Sequence, residues 1–189
     1  MGAPAQDAPA EGRGATTAAR GSLADRGSGG LLNVKLVVVA VGRRMPGWVD
    51  TAYAEYAKRM PRDARLELVL VKPEDRSAGR AIGRALEAEE KRILAAVPLG
   101  SVRIVLDERG TLLATAELAR RIERWRHAGR DLAFIIGGAD GLAEGLKRGA
   151  EFRWSLTPLT LPHGLARVVL AEQLYRAVSI LHNHPYHRK

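Results

Sequence analysis

The chain has 189 residues, 46% hydrophobic and 27% charged, with 30 Lys and Arg against 21 Asp and Glu for a formal net charge of +9, and no cysteine. That length suits one globular domain with a sizeable core, and zero cysteine excludes disulfide scaffolds, zinc ribbons and thiolate nucleophiles. Apolar runs such as Leu36 to Val41 are strand-sized, far short of the roughly 20 residues of a membrane span.

Residues 1–33 are mostly Ala, Gly, Pro, Ser and Thr, and their arginines (Arg13, Arg20, Arg26) are matched by Asp7, Glu11 and Asp25. They lack the apolar side chains needed to offset chain entropy, and a disordered extension is expected. The acids argue against a transit peptide and the missing apolar stretch against a signal peptide, so a cytoplasmic protein is expected. Val34-Lys35-Leu36 also suits an alternative start, which would make the extension an artefact of start-site choice. The whole +9 belongs to Val34 to Lys189, the expected single domain. Its basicity points to a polyanionic partner, the alternative being a merely soluble basic surface.

Lys35 to Val41 is an apolar run without polar alternation, as in a parallel strand covered on both faces. After the turn at residues 42–47, Trp48, Ala52, Tyr56 and Met60 recur at spacing four and predict a helix over 48–60. Leu66 to Val71 is the next strand, and Ser77 to Ala96 a charged helix with an Ile82, Leu86 and Ile93 stripe. Val102 to Asp107 is a third strand, followed by a helix over Ala116 to His127 that Thr115 would cap. Leu132 to Ile136 is the fourth strand, 142–150 a short helix, Phe152 to Leu156 a fifth strand and Leu165 to Leu181 a long final helix. The alternation describes an α/β fold, a mainly parallel sheet flanked by helices.

Ligands of such sheets settle beyond the carboxyl ends of the strands. Three strand ends are unusual here: Leu106-Asp107-Glu108-Arg109-Gly110, Gly137-Gly138-Ala139-Asp140-Gly141, and Ser155 through His163. The dinucleotide fingerprint and the P-loop are both absent. Gly137 and Gly138 either form an ordinary turn or let a ligand approach the backbone where no Cβ intervenes. Leu156 to Leu161, bounded by Pro158 and Pro162, is either a buried loop or a stiff apolar bed for a flat heteroaromatic ring.

The last eight residues hold three of the five histidines, His182, His184 and His187. A metal would need a nearby carboxylate, which is lacking, and no metal site is expected. RNA recognition is better served, with Arg188 and Lys189 for phosphate and Tyr186 and His187 for stacking or hydrogen bonding; a dimer anchor is the third reading. Glu172 and Arg176, four apart, make a favourable surface pair unless their face borders the pocket.

Together these segments resemble the RlmH type of SPOUT methyltransferase, which methylates N3 of a pseudouridine in 23S ribosomal RNA. The resemblance runs from Val34 to Lys189 through Val39-Ala40-Val41-Gly42, Met45-Pro46-Gly47-Trp48-Val49, Ile136-Gly137-Gly138, Trp154-Ser155-Leu156, Leu159 to His163, Ala171 to Ala177 and Asn183 to Arg188. It implies a C-terminal trefoil knot holding S-adenosylmethionine at Leu106, Gly137, Gly138, Leu156, Thr157, Pro158, Leu159, Thr160 and Leu161. It also implies a homodimer whose tail contributes to the site, and a substrate of 23S rRNA in the large subunit or assembled ribosome. His184, Tyr186, His187 and Arg188 would position substrate or handle the N3 proton, with Glu172 and Arg176 supporting them. The alternatives are a SPOUT enzyme for another RNA nucleoside and a non-catalytic ribosome-binding protein of the same fold. The N-terminal extension and the terminal Lys189 depart from the family pattern.

Overall fold

A central strand with both faces covered needs apolar residues at every position, and β1 (Leu36–Val41) has them: all six are buried. The computed structural model describes residues 1–2, 32–43, 45–75 and 82–187, the side chain of His187 excepted. The chain divides into Met1–Gly30 and Leu31–Lys189, and every element below belongs to the second unit. After β1 come α1 (Gly47–Arg59), β2 (Leu66–Val71), α2 (Ile82–Ala96), β3 (Val102–Leu112), α3 (Thr115–His127), β4 (Leu132–Ile136), α4 (Glu144–Arg148), β5 (Phe152–Ser155) and α5 (His163–Leu181), with short 3-10 turns at Arg62–Ala64 and Pro185–His187.

The five strands form one parallel sheet in the order β2-β1-β4-β3-β5. Because successive side chains alternate in direction, β1 feeds two cores. Leu36, Val38 and Ala40 pack with α1, α3 and α5, while Val37, Val39 and Val41 join Ile93 of α2 and Leu146 of α4. Phe134 of β4 is fully buried, its ring 6.2 Å from that of Trp154; truncating such a residue to Ala costs about 3–5 kcal/mol.

Several local expectations are corrected. The α1 stripe lies one residue on: Val49 and Tyr53 are buried, whereas Trp48 is 55% exposed. In α2 the buried positions are Ala85, Glu89 and Ile93, and Ile82 is 61% exposed. Buried Glu89 accepts the Glu74 backbone N–H at 2.9 Å, so a carboxylate occupies a place that periodicity gives to an apolar side chain. The expected first turn of that helix, 77–81, lies outside the described residues. Ala114, not Thr115, is the α3 cap residue, and the Thr115 hydroxyl instead meets Gln173 Oε1 of α5 at 2.8 Å. The helix over 142–150 shortens to Glu144–Arg148, β5 stops at Ser155, and α5 starts two residues early, at His163 after Pro162, a place where proline's fixed φ suits the helix entry.

The largest departure is β3, which continues to Leu112. Leu106 and Thr111 both pair with Trp154, so residues 107–110 loop out between them. Gly110 makes the return possible: a Cβ there would come within 2.6 Å of the Trp154 carbonyl carbon.

Candidate active site

Parallel order puts all five strand C-termini on one edge, and a cleft of about 550 Å³ opens there beyond β3, β4 and β5. Leu106, Gly137, Gly138, Leu156, Thr157, Leu159, Thr160 and Leu161 line it; Pro158 does not. Asp107, Arg109, Lys147, Ser155, His163 and Ala166 complete much of the wall.

Each wall is stiff for a local reason. Behind β4 the chain makes a tight turn, the Gly141 N–H donating to Gly138 O at 3.0 Å, with Gly141 at φ 80°. A Cβ on Gly137 would lie 2.5 Å from Gly141 O, so glycine is required for the turn to close. Behind β5, the Ser155 hydroxyl donates to Thr157 O at 2.9 Å and the Leu159 N–H donates to Thr157 Oγ1 at 3.1 Å. Thr157 thus staples the first half of the apolar loop, from Ser155 to Leu159.

The third wall hangs on Asp107, whose side chain is only 6% exposed. Its carboxylate accepts the Arg109 N–H at 3.0 Å and Arg153 Nη2 at 2.8 Å, with Lys147 Nζ at 3.4 Å. Burial pushes its pKa up, but the Arg109 N–H, Arg153 and Lys147 outweigh that and hold it below its ordinary value. Sequence places Asp107 at a strand end; its role was hidden because Arg153 lies 46 residues away.

The tail residues form a separate group. α5 ends where Asn183 takes a left-handed φ of 53°, a cap conformation that Asn tolerates, and the chain doubles back. The Tyr186 ring then packs 4.6 Å from that of Tyr175, with the Arg176 guanidinium 4.9 Å from its centroid. Arg176 Nε donates to Glu172 Oε1 at 2.8 Å, and the Tyr186 hydroxyl lies 3.4 Å from the same oxygen. Burial and its hydrogen bond with Tyr56 push the Tyr186 phenol up to about 12. His184 faces the Tyr175 ring at 6.5 Å. The side chain of His187 and all of Arg188 lie outside the described residues. Glu172, Arg176, His184 and Tyr186 therefore gather, but none lines the cleft of its own chain: Glu172 and Arg176 sit about 9 and 15 Å along α5 from Ala166, at 1.5 Å per residue.

The family model described as "Predicted SPOUT methyltransferase" matches residues 34–187. The chain belongs to the SPOUT methyltransferase family. Such enzymes use S-adenosylmethionine, and the cleft suits it: glycine turns and leucines for a flat ring beside charged and hydroxyl side chains for polar groups, within the volume range of small-molecule sites. This SPOUT methyltransferase is 54% identical over 155 residues to the ribosomal RNA large subunit methyltransferase H of Bordetella petrii, covering 82% of this chain and 99% of the relative. It is also 54% identical over 156 residues to the protein of that name from Neisseria gonorrhoeae, covering 82% and 100%. A solved structure, a probable methyltransferase from Bordetella pertussis, shares the fold at 17% identity and a TM-score of 0.50, over 78% of this chain and 95% of that one. Among the described residues no helix is long and apolar enough to cross a membrane, and no group of three or more His, Asp or Glu is placed to hold a metal ion.

Proposed function

We propose that this SPOUT methyltransferase moves the methyl group of S-adenosylmethionine to N3 of a pseudouridine in 23S ribosomal RNA, as a cytoplasmic homodimer acting on the large subunit or the assembled ribosome. The observation that carries the reading is 54% identity to ribosomal RNA large subunit methyltransferases H along essentially their whole length. The charge of +9 is in keeping with a polyanionic substrate.

Leu106, Gly137, Gly138 and the loop from Leu156 to Leu161 would hold the cofactor, which supplies an electrophilic methyl group when bound, with Pro158 stiffening the loop from outside the cleft wall. The chain's own work is alignment and removal of the N3 proton. Tyr186 keeps its proton at neutral pH and is suited to donate a hydrogen bond rather than to act as base. Glu172, pinned by Arg176, orients that phenol. His184 and His187 supply imidazole nitrogens as proton acceptors, and Arg188 a cation for phosphate.

Two further family features fit the geometry. β5 lies on the outer side of β3 while α5 packs against the helical layer of α1 and α3, so the segment 156–162 crosses the strand ends, as a trefoil threading requires. Trp48, Leu159 and Leu165 are exposed by 55%, 73% and 41%, and the starts of α1 and α5 lie so close that a Cβ on Gly164 would come within 2.9 Å of Val49 Cγ2. An exposed apolar face of this kind suits a second subunit, and a dimer would let one tail serve the other chain's cleft.

Mass mapping of ribosomal RNA from a strain lacking the gene tests the reading. Loss of one methyl from a large-subunit pseudouridine, restored by the gene on a plasmid, is the expected result; unchanged RNA would reject it. Methyl transfer in vitro to free 23S RNA, large subunits and assembled ribosomes then identifies the form of the substrate.

A further inference from the structure

Beside the cleft, along the outer edge of the sheet, lies a second depression of about 420 Å³. Among the described residues four cations line it, Arg109, Lys147, Arg148 and Arg153, with Glu151 as the only acid. Glu151 is already committed: its oxygens accept Arg130 Nη2 and the Arg103 N–H, each at 2.8 Å. Lys147 and Arg153 share Asp107, and Lys147 also meets Glu144 at 3.0 Å. Among the described residues the Arg109 guanidinium has one ion contact, with Glu108 at 3.9 Å, both side chains being exposed. Arg148 is exposed and makes no ion pair among the described residues.

We infer that this groove receives backbone phosphates of the RNA next to the nucleotide being methylated, with Arg148 and Arg109 as its contacting cations. Continuity with the cleft supports this, since Arg109 and Lys147 line both depressions. A strand leaving the cleft along this edge meets two guanidinium groups with unused donors, which pair well with phosphate oxygens. The inference rests on the rRNA reading above and adds the surface that guides the strand.

The test uses the full chain with large ribosomal subunits and with assembled ribosomes over a salt series, and reads the form that the parent binds more tightly. Arg148→Glu should weaken binding about tenfold at low salt and make the log–log salt slope shallower by about one, and adding Arg109→Glu should lower it by about one more. Cofactor affinity of Arg148→Glu, measured by calorimetry, should equal that of the parent. Arg120→Glu with Arg124→Glu, exposed cations on α3, is the control. Binding by Arg148→Glu that matches the parent, or falls no further than in the α3 control, overturns the groove while leaving the rRNA reading intact. A parent protein that binds none of assembled ribosomes, large subunits and 23S RNA overturns both. Arg148→Gln, uncharged and of similar length, repeats the measurement should the reversal lower thermal stability.

Discussion

Arg176 and Glu172, one turn apart on α5, share a two-pronged contact in which Nε and Nη2 of the arginine both reach Oε1, at 2.8 and 2.5 Å. The same oxygen faces the Tyr186 hydroxyl at 3.4 Å, so the pair aims the tail. Glu172→Gln should lower methyl transfer about tenfold or more and leave cofactor affinity within about twofold. Its stability cost should stay near or below about 1 kcal/mol, because the pair is partly solvated. Single-turnover kinetics beside calorimetry separates the two effects; a parallel loss of cofactor affinity contradicts the assignment.

Gly137 has no room for a side chain, since its nearest neighbour is backbone, the Gly141 carbonyl. Gly137→Ala should open the turn, cost about 1–3 kcal/mol in thermal or urea unfolding, and weaken cofactor binding at least tenfold. Gly100→Ala, at a φ of 76° but with open space around it, should lose some stability through backbone strain and keep cofactor affinity.

A shared site has a genetic signature. If one subunit's tail serves the other's cleft, co-expressing Gly137→Ala with Arg176→Ala should restore part of the methylation that neither variant has alone, because mixed dimers hold one intact combination. Purification with two different affinity tags isolates the mixed dimers, and their inactivity would place tail and cleft in the same chain.

Two fully buried arginines should respond in opposite ways to removal. Arg126 Nη2 donates to Leu32 O and Asp63 O, each at 3.1 Å, and to the Asp63 carboxylate. Arg126→Met strands those acceptors and should cost about 3–5 kcal/mol. Arg167 has no hydrogen-bond partner for any guanidinium nitrogen among the described residues, and its burial lowers its pKa despite Asp50 and Tyr53 nearby. Arg167→Met should leave stability unchanged or raise it by about 1–4 kcal/mol. Urea melts of the two variants decide the matter.

Much of this fold was legible because burial dictates composition. The unbroken apolar runs of β1 and β4 mark central parallel strands, and the glycines at 137–138 mark the turn behind one of them. Legibility failed where contacts are distant in sequence. Nothing near Thr115 announces Gln173, and the loop-out of β3 depends on Trp154, which lies more than 40 positions on. The helix stripes differ from what the spacing of large apolar side chains predicts, because Ala85 and Glu89 are buried whereas Trp48 and Ile82 stay exposed. Within the site, the strand ends were readable as places, but the separation of tail from cleft within one chain follows from the straight run of α5.

Acid should destabilise the fold at two carboxylates, Asp63 beside Arg126 and Asp107 at the cleft. Burial pushes the Asp63 carboxyl up, but its hydrogen bond and charge contact with Arg126, and the charge of His182, hold it below its ordinary value, as Arg109, Arg153 and Lys147 do for Asp107. A depressed carboxylate adds stability above its unfolded pKa of about 3.9 and loses it as pH falls through the lower folded value. The urea midpoint should therefore be flat between about pH 7 and 5 and fall below about pH 4. Asp107→Asn should be less stable than the parent at neutral pH, the gap narrowing in acid; a constant gap from pH 7 to 3 rules out this ionisation as the cause.

The strand order also governs when activity can arise during synthesis. β1 waits for β4, almost a hundred residues downstream, and β3 waits for β5, whose Ser155 leads into the last wall of the cleft. Distant pairings form slowly because the chain between them must first be ordered. A nascent chain halted before Leu161 would lack that wall, so on the cofactor assignment proposed above methyl-donor binding is expected only when nearly all of the chain has been made.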